Sequence, residues 1–258
     1  MQNNTFLRLY MGLNLIKLDR VASTNDYFKE QLSNFKPLEE GSAIMATEQF
    51  QGKGQRGNVW RSEPGKNLTL SILLYPSFLE VSKHFFLNVA ISLGIAKWLQ
   101  TQTKAQISVK WPNDIMADQK KICGILIENQ VKKDVFSSSI IGMGININQT
   151  DFPAEISHKV CSLKKILQQT EDICIESLLP ELFYYLERQY NRLKDGEETE
   201  LLNDYNSILM WRNEKHNFLI DNVKVEGTIT EVDMDGLLWV DFGKKVVSFN
   251  LKEIAYQL

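Results

Sequence analysis

Gly52-Lys53-Gly54-Gln55-Arg56-Gly57 crowds glycines and cations into one short stretch. Gly52, Gly54 and Gly57 can take positive φ and turn backbone N–H groups onto an anion, while Lys53 and Arg56 add charge and donors that a plain turn does not need. A solvated hairpin would use the same glycines, so the stretch alone leaves hairpin and anion cradle both open. Other groups could act with it. The hydroxyls and amide of Ser23-Thr24-Asn25 can cap a helix or hold the polar head of a small ligand. Trp60, in a polar segment, can prop the loop or stack on a purine. Trp111-Pro112-Asn113-Asp114 reads as a turn, or as an amide and a carboxylate set to meet a nucleotide and its metal. Lys121 leads into an apolar run whose Gly124 marks a close approach to the backbone. Gly142 and Gly144 leave room for a ligand, with Asn146 available to read a base edge; as a bare Gly-x-Gly this is weak.

These groups need elements to hold them. Alternation at residues 13–18 predicts a strand, and Ser23, Thr24 or Asn25 can cap a short helix through Leu32 with Asp26 in its first turn. Strands at 41–47 and 68–75 flank the glycine loop. Apolar residues at helical spacing from Phe85 to Leu99 predict an amphipathic helix over 82–101 whose stripe is core. Strands follow at 107–111, 122–128 and 140–148, then a short helix around 162–169 and helices at 175–194 and 200–210. From Trp211 the pattern shifts to short strands at 217–220, 223–232, 237–242 and 245–249, with turn residues between them, as in a small antiparallel barrel.

Composition limits the rest. A chain of 258 residues builds a core without staples, and a net charge of −3 gives no whole-protein footprint for nucleic acid or an acidic membrane. Cys123, Cys161 and Cys174 lack metal spacing and suit free thiols in a reducing compartment; His84, His158 and His216 are scattered. Neither a signal peptide nor a membrane span is readable, so the expected location is cytoplasmic.

Ser23-Thr24-Asn25, Gln49 through Trp60, Lys110-Trp111-Pro112-Asn113-Asp114 with Lys121 through Glu128, and Gly142 through Asn146 together resemble the biotin protein ligases in identity, order and separation. The resemblance implies an α+β fold: a mixed central sheet packed with helices, like the catalytic domain of class II aminoacyl-tRNA synthetases, over residues 1–210, and an SH3-like barrel over 211–258. It implies that biotin and ATP, with Mg²⁺, give biotinyl-5'-adenylate, and that a lysine of a biotin carboxyl carrier protein or domain then attacks this mixed anhydride. The roles it carries over are Lys121, Lys53 and Arg56 in catalysis; Ser23, Thr24, Asn25, Gln49, Lys53, Gly54, Gln55, Lys121, Gly124, Gly142 and Gly144 around biotin; and Lys53, Gln55, Arg56, Trp60, Asn113, Lys121 and Asn146 around ATP or the adenylate. Asp114 becomes a candidate metal or phosphate ligand.

Two departures from the family stand out. Its loop is most often Gly-Arg-Gly-Arg-Arg-Gly; here Lys53 keeps a charge without the bidentate fork, and Gln55 loses the charge. Some members carry an N-terminal DNA-binding domain of ~60 residues; a first strand near Leu13 leaves no room for one, so the form expected is monofunctional, with no nucleic-acid partner. The family includes monomers and dimers, which leaves a homodimer open. Two rivals share parts of the pattern: a ligase for lipoate or another carboxylic acid, and a non-catalytic module whose barrel binds peptide or nucleic acid.

Overall fold

The computed structural model describes residues 10–34 and 38–257, apart from the side chains of Asn34 and Arg56. Seven strands form one mixed sheet in the order β1-β2-β3-β7-β6-β5-β4. These are β1 (Leu15–Val21), β2 (Ala43–Gln49), β3 (Asn67–Leu74), β4 (Ile107–Lys110), β5 (Asp114–Ala117), β6 (Lys120–Lys132) and β7 (Val135–Asn146). Only β1 and β2 run parallel, joined by α1 (Thr24–Asn34); the rest are antiparallel neighbours. The expected strands are present within a few residues of their expected ends.

Side chains alternate across a strand, so each face of this sheet has its own chemistry. One face carries Leu68, Leu70, Ile72 and Leu74 from β3, Ile141, Met143 and Ile145 from β7, and Cys123 and Ile125 from β6, all in the main core. Against it lies α2 (Phe85–Gln102). The sequence predicts an amphipathic helix here, but α2 is buried on nearly every side, because α4 (Ile175–Lys194) and α5 (Glu198–Ser207) cover the surface that the sheet does not.

The opposite face holds Thr69, Ser71 and Leu73 of β3 beside Gly144, Gly142 and Ile140 of β7, with Gly124 and Leu126 of β6 opposite the two glycines. At one end, Phe28 of α1 closes it over Ile44, Leu73 and Ile140. At the other end the glycines leave the backbone bare, and the Trp60 ring lies over Gly144.

After the short α3 (Leu163–Leu167), α4 and α5, the chain forms a second sheet in the order β11-β10-β9-β8-β12. Its strands are β8 (Lys215–Ile220), β9 (Val223–Val232), β10 (Leu238–Asp241), β11 (Val246–Phe249) and β12 (Ala255–Tyr256). β11 and β12 lie at opposite ends of this order and do not pair, so among the described residues the sheet is open rather than closed. It shares the main core through Phe218, Ile229, Val232 and Leu238. Hydrogen bonds from Trp111 Nε1 to Gly236 O (3.0 Å) and between Asn206 and the Val232 backbone (both 2.8 Å) tie it to the first unit. Among the described residues no helix is long and apolar enough to cross a membrane.

Candidate active site

The bare end of the sheet is the floor of a cavity of about 470 Å³. Ser23, Thr24, Asn25, Gln49, Lys53, Gly54, Gln55, Trp60, Asn113, Asp114, Lys121, Gly124, Gly142 and Gly144 all line it. Groups far apart in sequence therefore meet in one cavity.

Its polar end is built around the start of α1. Ser23 precedes the helix, and its Oγ receives the Asp26 N–H at 3.5 Å, leaving Thr24 and Asn25 in the first turn rather than as caps. Gln49, closing β2, accepts the Thr24 backbone N–H at 2.8 Å. Beneath them, Ser71 Oγ lies 2.6 Å from both Thr24 Oγ1 and Asn25 Oδ1. Gly142 fits here because a Cβ would stand 2.6 Å from Asn25 Oδ1, too close for any side chain.

The charged end is one residue pair along the same strands, about 7 Å away. Asp114 of β5 pairs with Gly124 of β6, which pairs with Gly144 of β7. The tight β4–β5 turn puts Lys110 opposite Asp114, and the Trp111–Pro112 peptide within it is cis. Lys121 Nζ is 2.6 Å from Asp114 Oδ1 and Lys110 Nζ 3.8 Å from Asp114 Oδ2, two cations sharing one carboxylate. Burial pushes the Lys110 ammonium below the usual lysine range; Asp114 opposes this, and Lys121 and Lys159 reinforce it. The backbone of Lys121 is pinned by hydrogen bonds from its N–H to Lys159 O (2.8 Å) and from Cys161 N–H to its own carbonyl (2.9 Å). Asn113 donates its amide to Ile125 O at 2.5 Å.

Of the two readings the sequence leaves open for the glycine loop, the backbone forms the hairpin. It folds as a small hairpin, with Lys53 bridged to Val59, Gly54 N–H bonded to Asn58 O at 2.8 Å and Trp60 N–H to Gly52 O at 2.9 Å, and its inner side walls the cavity. Of its glycines only Gly57 uses positive φ, at +87°; Gly54 is at −114°, and Gly52 is required because a Cβ would lie 2.5 Å from Trp60 O. Trp60 lies over Gly144, with Lys121 Nζ 5.8 Å from its ring; its indole N–H is buried without a partner among the described residues. Lys53 leaves the loop to pair with Asp26 Oδ2 at 2.6 Å. Partial burial alone would raise the Asp26 carboxyl, but hydrogen bonding and charge from Lys53, with Lys29 adding to them, hold it below the usual carboxylate range.

Three expectations are adjusted. Asn146 does not line the cavity: it is 4% exposed and donates its amide to Cys161 O at 3.0 Å, on the segment whose backbone bonds Lys121. The side chain of Arg56 falls outside the described residues. Asp114 does not fit a resident metal, since two ammonium groups already flank it and no cluster of three or more His, Cys, Asp or Glu exists among the described residues.

Some residues around the cavity lie outside the motifs. Thr69 and Ser71, buried beneath it rather than lining it, are polar at alternate positions of β3, a signal open to detection. Ile254, Ala255 and Tyr256 close the Lys110 end from the C-terminus, with the Tyr256 ring 5.4 Å from Lys110 Nζ; no local pattern announces that.

A sequence profile of the Biotin/lipoate A/B protein ligase family matches residues 18–146, which hold the second half of β1, all of β2 through β7 and most of this cavity. The chain belongs to that family. Its member from Bacillus subtilis, the bifunctional ligase/repressor BirA, is 35% identical over 157 residues, covering 60% of this chain and 47% of that protein. The chloroplastic biotin–protein ligase 1 of Arabidopsis thaliana is 24% identical over 245 residues, covering 91% of this chain and 62% of that protein. The match thus spans about half the length of the bacterial curated relatives. Among solved structures, a family member from Aquifex aeolicus, the biotin protein ligase in complex with biotin and ATP, superposes with a TM-score of 0.79 at 26% identity, covering 95% of this chain and 99% of that one.

Proposed function

We propose that this protein is a biotin–protein ligase, which joins biotin to ATP as biotinyl-5'-adenylate and then passes biotin to a lysine of a biotin carboxyl carrier domain. The carrying observation is that Lys121 lines the same cavity as Asn25, Trp60 and Asn113, with its Nζ 2.6 Å from Asp114 Oδ1 and 5.8 Å from the Trp60 ring. The resemblance of the full site to the family, and relatives named for biotin or crystallised with biotin and ATP, support the same reading.

In the first step a biotin carboxylate oxygen attacks the α-phosphorus of ATP, and the bond to pyrophosphate breaks. Two anions meet, so the barrier is electrostatic, and preorganised cations lower it most. Lys121, held by Asp114 and by its pinned backbone, takes that role, with Lys53 on the loop and Arg56 as further cations. Thr24, Asn25, Gln49 and the backbone at Gly124, Gly142 and Gly144 hold the biotin rings; Trp60 and Asn113 hold the adenosine. The hairpin of residues 50–60 shields the mixed anhydride from water. In the second step a neutral amine of the carrier attacks the carbonyl carbon and AMP leaves.

The second sheet is read as an SH3-like barrel, with residues 1–210 and 211–258 as catalytic and C-terminal units; the change to short strands after Trp211 supports this. Incubation with ATP, Mg²⁺ and either biotin or lipoate, followed by mass detection of the adenylate, tests the function. The biotin adduct is expected, and a lipoyl adduct alone would overturn it.

A further inference from the structure

Glu128 does not line the cavity, yet it touches the residue that defines the polar end. It lies on β6, two residues beyond Leu126, with Oε2 2.9 Å from Asn25 Nδ2 and Oε1 2.6 Å from Lys29 Nζ. We infer that Glu128 is the positioning residue of the biotin end: it fixes which way the Asn25 amide faces and links that amide to the loop lysine. This rests on the biotin-activating reading of the site.

The first half follows from donor and acceptor capacity. A carboxylate only accepts, so the Asn25 atom facing Glu128 must be its NH₂, and Oδ1 must face Ser71. Ser71 has one hydroxyl hydrogen and spends it on Asn25 Oδ1 at 2.6 Å. The other 2.6 Å contact, between Ser71 Oγ and Thr24 Oγ1, is then made with the Thr24 hydrogen. Gln49 Oε1 accepts the Thr24 backbone N–H at 2.8 Å and stands 3.0 Å from Thr24 Oγ1, a longer alternative for the same hydroxyl hydrogen. One carboxylate thereby orders the Asn25 amide and the Ser71 hydroxyl. The only other partner of the Asn25 NH₂ among the described residues is Leu126 O at 3.4 Å, too long to enforce that order alone.

The second half is an ion chain. Lys29 Nζ is 3.4 Å from Asp26 Oδ1, and Asp26 Oδ2 is 2.6 Å from Lys53 Nζ. The same network that fixes Asn25 therefore reaches the loop. Burial lowers the Lys29 ammonium, but Glu128 and Asp26 outweigh it and leave Lys29 above its usual range.

Two substitutions separate the halves. Glu128→Ala should weaken biotin binding about tenfold, the scale of one hydrogen bond with an ionised partner, with the ATP KM unchanged. Glu128→Gln can still accept from Asn25 through its carbonyl oxygen but turns an NH₂ towards Lys29, so it should restore most of the biotin affinity. It should nevertheless release biotinyl-5'-adenylate about threefold faster, on the scale of a partly exposed ion pair. Calorimetry with biotin, steady-state KM for ATP, adenylate dissociation and thermal melting of each variant read these effects. Wild-type biotin affinity in Glu128→Ala overturns the inference, as does failure of Gln to restore it. Parallel loss of biotin and ATP affinity with a lower melting temperature also overturns it, because it marks a purely structural role. A wild-type protein that binds no biotin overturns the functional reading itself, and this inference with it.

Discussion

The two faces of the central sheet use the same strands for opposite ends. On the α2 face, Leu70, Ile72, Ile141, Met143 and Ile145 interlock with helices and exclude water. On the other, one step along the same strands, Thr69, Ser71, Gly142 and Gly144 replace bulk with hydroxyls and bare backbone, and the cavity lies there. The period of two in β3 and β7 is what lets stability and chemistry share one segment without conflict. The rigid face also explains the precision of the other, since side chains on a packed sheet hold their neighbours better than side chains on a loop.

Substitutions on each face should separate the two properties. Lys121→Ala, on the cavity side, should lower kcat/KM for biotin-dependent pyrophosphate release by about 10²–10³, the loss typical of one preorganised electrostatic group, while leaving the denaturant midpoint near wild type. Leu70→Ala, fully buried on the core side, should cost about 2–5 kcal/mol of stability while the folded fraction keeps its turnover; chemical denaturation with activity at low temperature checks both. A core substitution that abolished turnover in the folded state would break the separation.

Smaller effects sharpen it. Gly142→Ala puts a methyl against Asn25 Oδ1, and calorimetry should find biotin binding weakened about tenfold, with little change in melting temperature. On the loop, Gln55→Arg should slow adenylate release and Lys53→Ala should speed it by a few-fold; an off-rate unchanged by Gln55→Arg would sink the idea that backbone N–H groups and Lys53 hold the intermediate in its place. The smallest effect is a titration. Because the Asp26 carboxyl sits below its ordinary range of about 3.9, its ion pair with Lys53 is intact above that pH and is lost as pH falls through the lower folded value. Carboxyl NMR should find that low midpoint and see it rise in Lys53→Ala.

Most of this division is legible in the amino-acid sequence. Alternation in β3 and the glycines of β7 mark one face as unlike the other, and the Ser23, Lys121 and Trp111-to-Asp114 groups are distinctive enough to be singled out. Three features are less legible, for physical reasons. The burial of α2 depends on α4 and α5, which follow it at long range, so its own periodicity suggests a half-exposed helix. Asn146 sits next to the motif glycines but donates its amide to the backbone of Cys161, a contact that no local spacing reveals. Tyr256 reaches the Lys110 end only because the second sheet packs on the first, a contact between residues far apart in sequence. The glycine loop offers a different lesson: its residue types suit either a hairpin or an anion cradle, and the backbone forms a hairpin whose inner side walls the cavity.

The central claim is that the glycine-floored face activates a biotin carboxylate. Pyrophosphate release by the purified protein with ATP and Mg²⁺, measured with and without biotin, tests it most directly. Release that requires biotin, and that falls by about 10²–10³ in Lys121→Ala, is the result predicted. Release indifferent to biotin, or unchanged by loss of Lys121, would contradict it.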